Sequence, residues 1–386
     1  MASLYIHIPF CHHKCIYCDF YSIAQHFDKT RYVNSLIKEI EHRNNFLSSP
    51  ISTIYFGGGT PSKLSLDLLQ QIFVSIQRNF VLENSFFNIE KQNKELFSQM
   101  EITFEANPED ITIEYAQVLK DIGINRISLG VQSFSDKDLK LLNRSHNSET
   151  AINAIEILKK VGFENISIDL ISNLPYTNLA LWRKNLEIFL SYNLPHISCY
   201  TLMREEGTML DTLLKREKLS LLTEEESLKQ MNYTIDLLEQ NGYVHYETSS
   251  FAKAGFESKH NKAYWTFQPY LGIGAGAHSY KENLRLWNEN DVFAYVKRIE
   301  NDDFSFSDRM ETLTEKDKYN EYVMLSSRMK DGLKKDYVQK HFPQYYTFFL
   351  KNIDKCIKEG LLNEDLSLTI KGWQLQDRII LNLATE

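Results

Sequence analysis

Short apolar runs alternate with amphipathic stretches over the first 200 residues of the chain. Six runs predict β-strands, at residues 3–8, 52–57, 100–106, 126–131, 165–170 and 196–201. Between them, apolar residues recur at helical spacing over residues 66–80, 113–122, 150–161 and 179–192. Such alternation is typical of an α/β protein with a parallel sheet, and six strands are too few for a closed eight-stranded barrel. We therefore expect a partial (β/α)6 barrel.

The pattern changes beyond residue 220. A helical stretch, a strand-like run and a glycine-rich run predict an extension of the barrel, at residues 223–241, 243–251 and 271–280. From about residue 311, three helical stretches and a short strand predict a mostly helical, winged-helix-like domain, at residues 321–333, 335–342, 348–362 and 367–370. The expected parts are a barrel at 1–222 with a polar insertion at 84–99, its extension at 223–310 and a C-terminal domain at 311–386.

Charge and composition narrow the function classes. The 386 residues include 43 Lys and Arg against 51 Asp and Glu, so the net charge of −8 disfavours nucleic-acid binding. Winged helices often bind DNA, but residues 311–386 balance 12 basic against 12 acidic residues without a single-sign stripe. The chain shows neither a signal peptide nor an apolar run of about 18 residues, which predicts a cytoplasmic protein without a transmembrane segment.

Three cysteines lie close together directly after the first predicted strand. Cys11, Cys15 and Cys18 have the spacing C-x3-C-x2-C, and a reducing cytoplasm favours a metal site over disulfides. Three thiolates suit a [4Fe–4S] cluster that leaves one iron open to a further ligand. A zinc site with a histidine as the fourth ligand is the alternative, and the candidates are His7, His12 and His13.

Polar residues and glycines collect at the carboxyl ends of the predicted strands. Because those ends converge on one face of a parallel β/α protein, residues there usually form its site. Besides the cysteines, the strand ends carry the run "GGGTP" at 57–61, Glu105, Asn107, Gln132, Asp169 and Met203. Three consecutive glycines leave backbone amide and carbonyl groups accessible, which suits a ligand with an amino-carboxylate group.

Several motifs resemble those of a known family. The segments "IPFCHHKCIYCDFYS" and "GGGTPS" are similar to the cluster loop and glycine motif of radical S-adenosylmethionine (SAM) proteins, which favours the [4Fe–4S] cluster over zinc. The resemblance implies that the three cysteines hold the cluster and that SAM is bound by Tyr5, Gly58, Gly59, Thr60, Glu105, Gln132, Arg144 and Asp169. Chemically, Glu105 and Asp169 can accept hydrogen bonds from an ammonium group or ribose hydroxyls, and Arg144 can pair with a carboxylate.

The resemblance narrows to one branch of that family. "ITFEANPED", "RISLGVQSF", "LLNR", "IDLISNLP", "HNKAYW" and "YLGIGAGAHSY" are similar, in this order, to segments of oxygen-independent coproporphyrinogen III oxidases and of related heme chaperones. In the oxidases of this branch, the cysteines of the cluster loop have the spacing C-x3-C-x2-C-x-C, and a long N-terminal extension precedes them. This chain has Phe20 in place of the fourth cysteine and its first cluster cysteine at residue 11. Both departures favour a heme chaperone, and the decarboxylating oxidase is the alternative.

The branch implies heme as a further ligand. Heme iron commonly takes His, Met, Cys or Tyr as an axial ligand beside apolar surface. In "HNKAYW" the candidate is His260, with Tyr264 and Trp265 to cover the macrocycle, and a hydrogen-bonded structural histidine is the alternative. We expect the chain to bind heme and pass it to an apo-hemoprotein, either free or at the membrane surface, with the cluster and SAM controlling the transfer. Cleavage of SAM would make it an enzyme; binding alone would not.

Overall fold

The fold is described by a computed structural model over residues 1–82, 100–305 and 309–385. The predicted polar insertion at 84–99 lies outside the described residues. None of the helices in the described ranges combines the length and apolar character needed to span a membrane.

Six consecutive parallel strands form the centre of the sheet. They are β1 (Ala2–Ile8), β2 (Ile51–Gly58), β3 (Glu101–Ala106), β4 (Arg126–Gln132), β5 (Asn165–Ser172) and β6 (His196–Thr201). Each pairs in parallel with the next, and each lies within about two residues of its predicted bounds. The prediction of an α/β fold with a partial (β/α)6 barrel is confirmed.

Helices connect these strands and cover the outer face of the sheet. They are α1 (Lys29–His42), α2 (Leu66–Asn79), α3 (Ile113–Asp121), α4 (Asp136–Leu141), α5 (Ser148–Val161) and α6 (Leu179–Ser191). Their apolar faces join the outward side chains of the strands in one large core. Capping fixes several helix starts: the side chains of Asp28, Thr112 and Asn147 each accept a hydrogen bond from a first-turn amide. The sequence pattern did not predict α1 and α4.

Short strands extend the sheet at both edges. This region contains α7 (Met209–Lys215), α8 (Glu224–Gln240), β7 (Val244–Glu247), β8 (Ser250–Ala252), α9 (Lys259–Trp265), β9 (Tyr270–Ile273), β10 (His278–Lys281), β11 (Leu284–Trp287), α10 (Val292–Glu300) and β12 (Met310–Thr312). At one edge β8 pairs antiparallel with β6, and at the other β9 pairs parallel with β1. The described sheet therefore has the order β12-β11-β10-β9-β1-β2-β3-β4-β5-β6-β8-β7.

The glycine-rich run at 271–280 connects β9 with β10 and brings their backbones into close contact. A Cβ on Gly272 would lie 2.0 Å from the carbonyl oxygen of His278, so no larger residue fits where the two strands meet. Gly274 has φ +104°, and a Cβ there would lie 2.6 Å from the hydroxyl of Tyr32. Close approach of neighbouring chain segments thus accounts for both glycines.

The C-terminal region forms a helical unit with a separate core. Its helices are α11 (Glu315–Ser326), α12 (Lys335–His341), α13 (Tyr346–Lys358), α14 (Ile370–Gln374) and α15 (Gln376–Leu383). Tyr319, Phe349 and Ile353 lie fully buried in this second core. The strand predicted at 367–370 is wrong, because only one bridge between Leu362 and Leu368 forms before α14 begins. The three domain ranges stay a prediction.

Candidate functional site

A cleft of about 390 Å³ opens at the carboxyl ends of the central strands. It is lined by every residue that the sequence assigned to the cluster or to SAM, namely Tyr5, Cys11, Cys15, Cys18, Gly58, Gly59, Thr60, Glu105, Gln132, Arg144 and Asp169. These residues come from β1 to β5 and from the loops after β1 and β2, except Arg144, which lies between α4 and α5. The parallel topology therefore brings together residues that are far apart in the sequence.

The three cysteines lie on the loop between β1 and α1 and are partly exposed at the cleft. Two of their sulfur atoms accept hydrogen bonds. The Thr60 hydroxyl donates to Cys11 Sγ at 3.6 Å, and the Arg144 guanidinium donates to Cys15 Sγ at 3.4 Å. Such donors stabilise thiolates and tune the potential of a cluster that thiolates hold.

Asn107 connects these two donors. Its side-chain amide donates to the Thr60 hydroxyl at 3.3 Å, and its Oδ1 accepts a hydrogen bond from Arg144 at 2.6 Å. Arg144 also donates to the carbonyl of Gly130 at 2.8 Å, while its buried Nε has no hydrogen-bond partner in the part of the chain that the structure describes. The position of Asn107 at a strand end predicts that it lies near the site but does not indicate its role. Its part in orienting the donors to two sulfurs depends on contacts that the sequence does not reveal.

The donor set fits an iron–sulfur cluster better than a zinc ion. Within residues 1–82, 100–305 and 309–385, no three His, Cys, Asp or Glu side chains converge on a point where one metal ion would be held. A four-iron cluster needs no such point, since each thiolate binds a different iron. The histidines considered for zinc have other partners: His7 pairs through both ring nitrogens, His12 pairs with Asp110, and His13 pairs with a backbone carbonyl.

Two partly buried carboxyl groups face the cleft, Glu105 from β3 and Asp169 from β5. Glu105 accepts hydrogen bonds from the Tyr55 hydroxyl at 2.7 Å and from the Gly58 amide at 3.2 Å. Burial nevertheless raises the pKa of Glu105 to about 7 and that of Asp169 to about 6. A ligand with positive charge would favour the ionised carboxylates. SAM carries a sulfonium and an ammonium group, so these two residues fit it.

Contacts within the chain itself require glycine at Gly58, the last residue of β2, and at Gly59. Gly58 has φ +112°, and a Cβ there would lie 2.5 Å from the His7 ring. A Cβ on Gly59 would lie 2.8 Å from the carbonyl carbon of Pro9. The loop therefore packs directly against the end of β1, and its backbone forms part of the cleft wall.

Gln132 ends β4 in an unusual conformation. Its φ of 66° is in the left-handed region, which a residue with a side chain rarely adopts. The register between β4 and β5 shifts at the same point, between Leu129 and Gln132. Backbone strain of this kind is common where a side chain is directed into a site, and Gln132 lines the cleft.

His260, the predicted heme ligand, lies outside the cleft at the opposite end of the barrel. It is 1% exposed in α9, and its Nδ1 and Nε2 are hydrogen bonded to the hydroxyls of Thr53 and Tyr264, each at 2.9 Å. Burial lowers its pKa to about 3. Both ring nitrogens are thus engaged, which favours the alternative of a hydrogen-bonded structural histidine over the predicted role as heme ligand.

The cysteine loop, the cleft and the partial barrel together define a radical SAM protein. The family model of the Radical SAM superfamily matches residues 5–189, which extend from β1 into α6. The structure also resembles coproporphyrinogen III oxidase (HemN) from Escherichia coli, described as a radical SAM enzyme. The TM-score is 0.82, with 24% sequence identity, over 100% of this chain and 90% of that protein. This likeness shows a shared fold.

Two curated relatives match over almost the full length. The heme chaperone HemW of Lactococcus lactis subsp. lactis is 36% identical over 384 residues, which cover 98% of this chain and 96% of the relative. The heme chaperone HemW of Bacillus subtilis is 34% identical over 385 residues, 98% of each chain. This chain therefore belongs to the HemW family of radical SAM proteins. Membership confirms the predicted family and the [4Fe–4S] and SAM cofactors, whereas the role of each residue stays a prediction.

Proposed function

We propose that the protein is a heme chaperone, which binds heme and transfers it to an apo-hemoprotein. The observation that carries this proposal is the similarity to two proteins named heme chaperone HemW. The similarity includes both the barrel and the C-terminal helices, so it extends well beyond the cofactor cleft that all radical SAM proteins share.

In this proposal the cleft residues hold two cofactors. Cys11, Cys15 and Cys18 would hold the cluster through their thiolates, and the residues around them would hold SAM beside it. Glu105 and Asp169 balance the positive charge of SAM, and Arg144 pairs with its carboxylate. SAM bound at a reduced cluster supplies radical chemistry. The chain itself contributes orientation, charge balance and hydrogen bonds to the sulfurs.

The second candidate is the oxygen-independent oxidase of the same branch. Its motif places a fourth cysteine where this chain has Phe20. That side chain is 68% exposed at the rim of the cleft and provides neither a ligand nor a charge. The shared fold with the Escherichia coli oxidase supports the architecture alone. We therefore infer that coproporphyrinogen III is not decarboxylated.

The acceptor in this proposal is an apo-hemoprotein, which is either free or held in the membrane. A cytoplasmic location and contact with the membrane surface belong to the same proposal. Nucleic acid is not among the proposed partners, because the chain carries a net charge of −8.

The test uses anaerobically reconstituted protein. It should retain added hemin through gel filtration and pass it to the apo form of a b-type heme protein, and it should form no protoporphyrinogen from coproporphyrinogen III with SAM and reductant. A Cys18→Ala variant shows whether the transfer depends on the cluster. Multiple turnovers of coproporphyrinogen III without hemin binding would assign the protein to the oxidases.

A further inference from the structure

A groove of about 380 Å³ lies between the barrel extension and the C-terminal helices, on a different part of the molecule from the cofactor cleft. Its principal lining residues are Phe267, Tyr280, Lys281, Lys318, His341 and Phe342, and we call it the His341 groove. Phe267 and Tyr280 come from the barrel extension, whereas the other aromatic wall and the histidine belong to the end of α12.

His341 is an available imidazole. Seven of the eleven histidines have hydrogen bonds within the described chain, at His7, His12, His13, His146, His196, His245 and His260. The other four are His26, His42, His278 and His341, and of these it is His341 that lines a cavity found in the described residues. A ring nitrogen without another partner can bind a metal.

The imidazole is held in place by stacking. Its ring lies 4.3 Å from that of Tyr337, one turn earlier in α12, with 28° between the planes. Tyr337 stacks in turn on Tyr322 of α11 at 4.8 Å. Stacking restricts the ring, the residue is exposed, and neither ring nitrogen has a hydrogen bond to the described residues, so one nitrogen can bind iron.

The walls of the groove suit a flat apolar molecule. Phe267 and Tyr280 pack edge to face at 6.3 Å. A second cavity of about 200 Å³ continues along the same wall, shares these two residues, and adds Tyr264 and Trp265 of the "HNKAYW" segment. The aromatic residues of that segment thus lie beside the His341 groove, although its histidine is buried elsewhere.

The charges at the groove suit carboxylates. Lys281 and Lys318 line it on a chain whose net charge is −8, although Glu282 also lines it and Lys318 pairs with Glu315. Lysine side chains at the mouth of an aromatic groove can pair with the two propionates of heme.

We propose that heme binds in the His341 groove, with the His341 imidazole as an axial ligand of the iron and Lys281 and Lys318 facing the propionates. This inference rests on the proposed heme-chaperone function and names the site. It places the heme apart from the cluster, so that the two cofactor sites have separate walls.

The test is a titration of anaerobically reconstituted full-length protein with hemin, followed by difference absorbance in the Soret region. His341→Ala should shift the Soret maximum and weaken hemin binding by at least about tenfold, because it removes a bond to iron. His278→Ala is the matched control, since the His278 ring also has no hydrogen bond to the described residues and is exposed but does not line the groove. Iron and sulfide content should be unchanged in both variants.

Two further measurements keep the outcomes distinct. Added imidazole should restore the wild-type Soret position in His341→Ala, which a general loss of fold would not allow. Lys281→Glu should weaken hemin binding without moving the Soret maximum. If His341→Ala binds hemin as the wild type does, the groove assignment is wrong and the chaperone proposal stands. If the wild type binds no hemin, both are wrong.

Discussion

The two ends of the barrel lumen are both polar, but only the carboxyl end is built as a site. There, Glu105 and Asp169 have raised pKa values and line an open cleft together with Arg144. At the amino end, His260 and His196 use both ring nitrogens in hydrogen bonds at 2.7 to 2.9 Å. Similar residue types thus serve binding at one end and structure at the other.

Helix α9 closes the amino end. The backbone amides of Lys259 and His260 each donate to the Glu101 carboxylate at 2.9 Å, so a buried acid neutralises the start of the helix. Burial also lowers the pKa of His196 well below its usual value, and both histidines stay neutral at physiological pH. The difference between the ends lies in access. A buried guanidinium nitrogen without a partner among the described residues also occurs at the amino end, in Arg126, but no open cleft reaches it.

The largest expected effect is loss of the cluster. Alanine at any one of Cys11, Cys15 and Cys18 should reduce reconstituted iron and sulfide from about four each per chain to almost none, because the loop then has two thiolates. Cys356→Ala is the control, since Cys356 is buried in the C-terminal core and should not affect the cluster. Full iron and sulfide in Cys18→Ala would mean that the loop does not hold the cluster.

Next in size is the effect of Glu105→Gln on SAM. Removing this negative charge should weaken SAM binding by about tenfold or more at pH 8, measured by calorimetry on the reconstituted protein. In the wild type, SAM affinity should fall as the pH drops through about 7 and then about 6, because protonation neutralises Glu105 and Asp169. The first of these two steps should be absent in Glu105→Gln.

Although Glu105→Gln should weaken SAM binding, it should stabilise the SAM-free protein. The folded pKa of Glu105 lies above its usual value, so the folded state binds the extra proton and stability falls as the pH rises from about 4.5 to about 7. Glu105→Gln should therefore raise the free energy of unfolding by about 1–2 kcal/mol at pH 8. Equal SAM affinity in variant and wild type across this pH range would remove Glu105 from the site.

At the amino end, His260→Ala should affect stability and little else. It removes one partner of the Thr53 hydroxyl, which keeps its bond to Ser3, takes away the partner of the Tyr264 hydroxyl and creates a cavity, which together should cost about 2–4 kcal/mol of unfolding free energy. Cluster content, SAM affinity and the hemin Soret maximum should stay as in the wild type. A lost or shifted Soret band in a folded variant would restore His260 as the heme ligand.

The sequence predicted the carboxyl end well because its signals are local. Three cysteines on one short loop, a glycine run and polar strand ends each lie within a few residues, and parallel topology places them together. At the amino end, the partners of His260 could not be predicted because its contacts are not local. Thr53 and His260 are 207 residues apart and meet only when α9 packs against the barrel. The helices α14 and α15 were missed because they have only five and eight residues, which is shorter than the stretch over which helical periodicity becomes clear.

The smallest predicted effect concerns the hydrogen bonds to the sulfurs at the carboxyl end. Thr60→Val keeps the shape of the side chain but removes the donor to Cys11 and the acceptor for Asn107. The cluster should still form, since all three thiolates remain. In the wild type, this hydrogen bond stabilises the more negatively charged reduced cluster by about 1 kcal/mol. Without it, the reduction potential should become more negative by about 40 mV. Thr60→Ser retains the hydroxyl and is the control. An unchanged potential in Thr60→Val, measured by redox titration with electron paramagnetic resonance, would show that this hydroxyl does not tune the cluster.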